Sequence, residues 1–122
     1  MNKKERTENS AECIKGMQAI NDTMQLLSGK WKFKIVGALM KHGKLRFMDL
    51  LREVDGIAAK MLSKELHELE INLLVSRTIM NTKPVTVEYE LTKHGQTLER
   101  VINEIEAWGL AHRKLIIQPM KK

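Results

Sequence analysis

Residues 45–70 read Leu45-Arg46-Phe47-Met48-Asp49-Leu50-Leu51-Arg52-Glu53-Val54-Asp55-Gly56-Ile57-Ala58-Ala59-Lys60-Met61-Leu62-Ser63-Lys64-Glu65-Leu66-His67-Glu68-Leu69-Glu70, and they carry two apolar repeats of helical period. Phe47, Leu50, Leu51 and Val54 stand at i, i+3, i+4 and i+7, the spacing of one buried helix face. Asp55-Gly56 is a turn signal. Leu62, Leu66 and Leu69 then mark the inner face of a second helix, from about Ala58 to Glu70. Two short helices joined by a glycine-containing turn form the helix-turn-helix pattern, in which the second helix enters the major groove of DNA. Helical hairpins of other kinds share this periodicity, so the flanking sequence has to decide.

Downstream, Leu74-Val75-Ser76-Arg77-Thr78-Ile79-Met80 is rich in β-branched residues. The stretch 85–91 alternates, with Val85, Val87, Tyr89 and Leu91 on one face and Thr86, Glu88 and Glu90 on the other, as a half-buried strand does. Asn81-Thr82-Lys83-Pro84 connects the two, with Pro84 at an edge where it loses no ladder bond. A β-hairpin after a helix-turn-helix is a wing, with its tip at Asn81 to Lys83. Thr92 is expected to cap a last long helix running to about Ile117. Leu98, Val101, Ile105, Trp108, His112 and Leu115 follow one another at gaps of 3, 4, 3, 4 and 3, a heptad-like stripe widened by Ile102, Leu110 and Ile116.

Upstream, Met17, Ile20, Met24 and Leu27 mark an amphipathic helix that Ser28-Gly29 stops. A second helix is expected from about Lys30 to Lys41, with Trp31, Ile35, Val36, Leu39 and Met40 on its apolar face and His42-Gly43 at its end. The expected fold is therefore mainly α with a small β-hairpin, a winged helix-turn-helix with N- and C-terminal dimerisation helices. Residues 1–12 read as a flexible arm, 13–117 as one domain and 118–122 as a basic tail. The last stripe is longer than a core of this size needs. Met17, Ile20 and Met24, with Val101, Ile105, Trp108 and Leu115, are read as a homodimer surface; the alternative is that the stripe folds back on its own core.

The charge supports this layout. The chain has 122 residues and a net charge of +6. Residues 30–83 hold eleven Lys and Arg against six Asp and Glu, so +5 of the surplus falls on the helix-turn-helix and wing. A basic surplus in a small domain points to a polyanion. Only five aromatic rings are present (Trp31, Phe33, Phe47, Tyr89 and Trp108), most at positions read as buried, which argues against single-strand stacking platforms and favours duplex DNA. The charged start of the chain lacks the apolar region of a secretory signal, and Ile35 to Met40 is too short to span a bilayer, so a cytoplasmic protein without membrane association is expected. His42, His67, His94 and His112 have no metal-ligand spacing, the seven glycines form no phosphate-cradling loop, and the eight methionines read mostly as core fillers. No enzyme, metal or cofactor is expected.

The chain resembles the HxlR-type winged helix-turn-helix transcription regulators of bacteria over roughly Cys13 to Trp108. The resemblance rests on Gly29-Lys30-Trp31, on Gly43-Lys44-Leu45-Arg46-Phe47-Met48-Asp49-Leu50, and on Gly56-Ile57 with Lys60-Met61-Leu62. It continues through Leu66-His67-Glu68-Leu69-Glu70, Arg77, Pro84, Val87-Glu88-Tyr89-Glu90-Leu91-Thr92, Gly95 and Trp108. Three positions depart from it. Ile14 replaces a proline after the cysteine, Ala58 replaces a serine at the start of the recognition helix, and Leu73 replaces a glycine after it. Asn72 is expected to take the left-handed conformation in place of that glycine.

The resemblance implies a homodimer that binds a pseudo-palindromic operator in double-stranded DNA. Opposite the leucines of the recognition helix lie Ala59, Lys60, Ser63, Lys64 and His67, with Lys60 and Lys64 one turn apart. Ser63 and His67 are candidate base readers, and either lysine a phosphate or guanine contact. Arg46, read as opening the third helix, is a candidate phosphate clamp, and Lys83 a candidate minor-groove or phosphate contact. Arg77 is open between phosphate and an ion pair, and for the lysines the plain alternative is solubility. The family also implies a redox or electrophile switch at Cys13, the single thiol, against the alternative of an inert thiol. Other readings are a winged-helix protein-interaction module or control by a non-covalent small-molecule effector.

Overall fold

The computed structural model describes residues 10–117. The expected arm therefore lies outside the described residues as far as residue 9, and the basic tail 118–122 wholly so. The chain divides into two compact units, Met1–Lys30 and Trp31–Lys122. The described residues of the first include the helix α1 (Ser10–Leu26), which begins N-terminal of the apolar spacing that marks it and buries none of its residues. Ile14, Met17, Ile20 and Met24 are exposed on it. Gly29 follows with φ +84, a backbone only glycine adopts without strain.

The second unit opens with α2 (Lys32–His42), which buries Ile35, Val36, Ala38 and Leu39. Gly43, at φ +82, closes it and donates its N–H to the carbonyl of Leu39. Next comes β1 (Lys44–Arg46), then α3 (Phe47–Glu53) and α4 (Ala59–Ile71), the two helices of the helix-turn-helix. Leu50, Leu62, Leu66 and Leu69 from these helices and Ile35 and Leu39 from α2 are the fully buried centre of the core. Strands β2 (Val75–Met80) and β3 (Thr86–Leu91) form the hairpin, and α5 (Lys93–Gln96) and α6 (Leu98–Ile117) complete the unit.

The hairpin is part of a three-stranded antiparallel sheet of order β1-β3-β2, not a sheet of its own. Lys44, Leu45 and Arg46 pair with Glu90, Tyr89 and Glu88. Three residues are too few for alternation to register, so β1 exists only because β3 supplies its partner. Arg46 accordingly ends a strand rather than opening a helix, and its extended backbone (φ −76, ψ 160) leads into α3. The Asp49 carboxylate accepts the Arg46 backbone N–H at 3.2 Å, satisfying one donor at the helix start. Val85, read as the first residue of the strand's inner face, lies outside β3 and is exposed; Tyr89 and Leu91 are the buried residues of that face.

The last helix is also broken where the spacing reads straight through. Thr92 does cap, its Oγ1 accepting the Gly95 N–H at 2.9 Å, but the helix it caps is only α5. The His94 carbonyl accepts both the backbone N–H and the hydroxyl of Thr97, at 3.1 and 2.5 Å, so the ladder stops there and restarts at Leu98. Of α6 only Leu98 is buried; Val101, Ile105, Trp108 and Leu115 are exposed, Trp108 by 68%. Tyr89 is the one ring of the five that is buried, and none of the described methionines sits in the core.

The left-handed position after α4 falls on Leu73 (φ +65), not on Asn72 (φ −87). The Leu74 N–H reaches the Leu69 carbonyl and the Leu73 N–H reaches that of Glu70, both at 3.0 Å. That is the Schellman pattern, which puts the positive φ one residue past the C-cap. Asn72 instead caps with its side chain, Nδ2 donating to the Glu68 carbonyl at 2.8 Å. A leucine pays a steric penalty at this φ, and Leu73 is 70% exposed, so it recovers little by packing. Leu73→Gly is expected to raise stability by about 1 kcal/mol. A urea midpoint that stays put or falls would show that the Leu73 side chain contributes more than its backbone costs.

Candidate nucleic-acid interface

Helix α4 presents two opposed faces. Leu62, Glu65, Leu66 and Leu69 point inward, and Ala59, Lys60, Ser63, Lys64 and His67 are all exposed. Ala58 precedes the helix in extended conformation and makes no side-chain cap, as an alanine must. The first turn of α4 thus offers its backbone N–H groups uncapped by that side chain.

Glu65 sits three residues from Leu62 on the apolar stripe, and a carboxylate there needs a cation. Lys32, in the first turn of α2, supplies it. Its Nζ lies 2.5 Å from Glu65 Oε2 and 2.6 Å from Glu68 Oε2. The Lys32 side chain is 7% exposed and that of Glu65 11%. Burial works against the Lys32 charge, but the hydrogen bonds and the attraction of both glutamates outweigh it and hold its pKa above the usual lysine value. Glu68 is pulled below the usual carboxylate range, first by the Lys32 hydrogen bond and its charge, with smaller help from Lys64 and His67. The triad ties the start of α2 to the middle of α4. It also withdraws Lys32 from the basic surplus, so the positive charge of the outer face of α4 rests on Lys60 and Lys64. Nothing in the charge count singled out Lys32; the carboxylate on the leucine stripe was the signal that could have.

The other candidate residues lie on separate elements. Arg77 is exposed on β2 opposite Tyr89 and takes part in no ion pair among the described residues. Lys83 is exposed in the loop between β2 and β3, where Thr82 Oγ1 donates to the Pro84 carbonyl at 2.9 Å and lies 3.1 Å from Thr86 Oγ1. Those contacts order the turn that carries Lys83. Arg46 is exposed at the end of β1, in register with Glu88. Cys13 is exposed on α1, in the other unit, with Met17, Ile20 and Met24. Along α6 the exposed Trp108 ring stacks on His112, with centroids 4.8 Å apart.

Residues 26–116 match the HxlR-like helix-turn-helix family. The chain belongs to that family. It is 38% identical to YtcD of Bacillus subtilis (strain 168), an uncharacterised HTH-type transcriptional regulator, over 77% of this chain and 74% of the relative. The reduced form of the transcriptional regulator YodB from B. subtilis superposes with a TM-score of 0.68 at 36% identity, covering 74% of this chain and 87% of that one. The redox regulator HypR in its reduced form superposes with a TM-score of 0.74 at 32% identity, covering 82% and 98%. This HxlR-like chain is a transcriptional regulator of helix-turn-helix type, in a family of regulators rather than enzymes. Its fold is the winged helix of those neighbours, and no helix among its described residues is long and apolar enough to cross a membrane.

Proposed function

We propose that this regulator is a cytoplasmic homodimer that binds a pseudo-palindromic operator in double-stranded DNA through α4 and the wing. The observation that carries the reading is the outer face of α4. Lys60, Ser63, Lys64 and His67 share exposure opposite a fully buried leucine stripe. Cations one turn apart engage phosphates or guanine edges, and short polar side chains between them reach bases. Arg46, Arg77 and Lys83 add phosphate contacts in this reading, and Ala59 brings the backbone close to the groove wall. Dimerisation joins two such helices to two half-sites. The exposed apolar residues Met17, Ile20 and Met24 on α1 and Val101, Ile105, Trp108 and Leu115 on α6 are the surface assigned to it.

Cys13 is assigned the switch. It is exposed, and the similar structures include reduced and diamide-treated YodB and reduced and oxidised HypR. With one thiol per chain, oxidation joins two chains or one chain and a small thiol. Two thiols lose two electrons and two protons to the oxidant as the S–S bond forms; diamide takes both up as its N=N bond is reduced.

One binding experiment tests the assembly. Wild type should sediment as a dimer at micromolar concentration, bind a selected operator, and lose affinity steeply with salt. Lys64→Ala should weaken binding at every sequence and reduce the salt slope by about one per subunit, about two for the dimer. Diamide should release wild type from DNA and leave Cys13→Ser bound. A monomer indifferent to duplex DNA would make this a protein-interaction module. Release of Cys13→Ser by diamide would remove the thiol from the switch, and a ligand-dependent rise in its melting temperature would place control with a non-covalent effector.

A further inference from the structure

The outer face of α4 is not uniformly polar. Ala58, Lys60, Met61 and Lys64 surround an open hollow at the start of the helix, and the surface lining it is apolar. Its walls are the Ala58 methyl, the Met61 side chain and the aliphatic stems of the two lysines. Met61 is 36% exposed and is not part of the buried leucine stripe. Lys60 and Lys64 are exposed beside it, and neither is held in an ion pair by a described residue. Lys32, by contrast, is fully engaged by Glu65 and Glu68.

An apolar hollow flanked by two exposed lysines asks for a ligand that is anionic around and apolar at one point. Duplex DNA has one such group in its major groove. The thymine 5-methyl is the only apolar substituent presented there, and phosphates flank it on both strands. The N-terminal residues of a recognition helix are the ones that meet base edges. We infer that the hollow formed by Ala58, Met61 and the stems of Lys60 and Lys64 receives the 5-methyl group of a thymine, so that each half-site is selected for one T by apolar contact. The inference rests on the DNA-binding reading above. It makes Met61 a specificity-determining residue, although nothing in its position along the helix marks it as polar or basic. The alanine at 58 fits the same role, because a serine there would put a hydroxyl into the apolar lining.

Deoxyuridine isolates the methyl, since it keeps the pairing edge and the O4 acceptor of thymine. The full-length protein is first used to select an operator from random duplexes. Each thymine is then replaced by deoxyuridine in turn, symmetrically in both half-sites, at fixed salt. One position should weaken binding by roughly fourfold per half-site, the size of one buried carbon group. In Met61→Ala that thymine-to-uridine ratio should fall to about one, and in Ala58→Ser it should shrink. Lys83→Ala, in the wing and outside the hollow, should bind more weakly overall and keep the ratio. No deoxyuridine-sensitive position in the wild type overturns the inference while leaving DNA binding intact. A ratio unchanged in both Met61→Ala and Ala58→Ser also overturns it, because the methyl is then read elsewhere. A wild type that selects no duplex overturns the DNA-binding reading itself, and this inference falls with it.

Discussion

Gly95→Ala is expected to destabilise the protein by about 3 kcal/mol or more, although alanine is the better helix former by about 1 kcal/mol. A Cβ built on Gly95 would overlap the carbonyl oxygen of Leu74 and, at 2.9 Å, its carbonyl carbon, and would press on its Cα at 3.3 Å. These are backbone atoms in a segment tied at both ends. The Thr92 N–H donates to the Leu74 carbonyl at 3.0 Å, and the Thr92 hydroxyl donates to the Leu73 carbonyl at 2.6 Å. Leu74 is also bonded back into α4 through its own N–H. Relief therefore requires moving the exit of α4 away from α5 and breaking the Thr92 bonds. The urea midpoint should fall with little change in slope, and the melting temperature should drop by on the order of 10 °C. A wild-type midpoint would mean that the Leu74 backbone yields freely, contrary to this network.

Lys32→Met is the second large effect. Removing the cation leaves Glu65 buried and Glu68 beside it with no countercharge, and breaking a buried pair in this way costs about 3 kcal/mol or more. The pH dependence separates this cause from a simple packing loss. In the wild type the raised pKa of Lys32 means that its contribution is complete below the ordinary lysine value and is lost only as pH rises through the raised one. The lowered pKa of Glu68 means that its contribution is present above the ordinary carboxylate value and is lost as pH falls through the lowered one. Between about pH 6 and about pH 9 these two groups therefore leave wild-type stability flat. Lys32→Met should instead lose stability as pH rises above the ordinary carboxylate range, because carboxylates left without a countercharge favour the protonated, folded form at low pH. The double variant Lys32→Met/Glu65→Met should recover most of the loss, since a whole buried pair can be exchanged for apolar volume at little cost. Failure of that recovery would locate the defect in packing rather than charge.

The outer face of α4 was legible because it is the complement of the leucine stripe. Once Leu62, Leu66 and Leu69 are assigned to the core, geometry leaves Lys60, Ser63, Lys64 and His67 outside. Lys83 was legible for a similar reason, as the basic residue of a turn between two strands. Arg46 was not, because its place opposite Glu88 depends on a strand pairing that joins residues 44–46 to 88–90. The methionines read as core fillers misled, since apolar character does not distinguish a core from an exposed apolar face.

By itself the sequence determined the helices of the helix-turn-helix, the hairpin, the turns at Gly43 and Gly56, and the sign and place of the surplus charge. Each of these follows from forces acting between residues a few positions apart: the 3.6 and 2.0 periods of burial and the freedom of glycine at positive φ. Tertiary structure alone decided that Lys44–Arg46 is a strand, that Lys32 is buried against Glu65 and Glu68, that Leu73 takes the left-handed turn, and that α5 ends at Thr97. In each case the deciding bond or collision joins separate elements or competes with a local alternative of similar energy. Local pattern holds no record of that balance; the folded chain settles it.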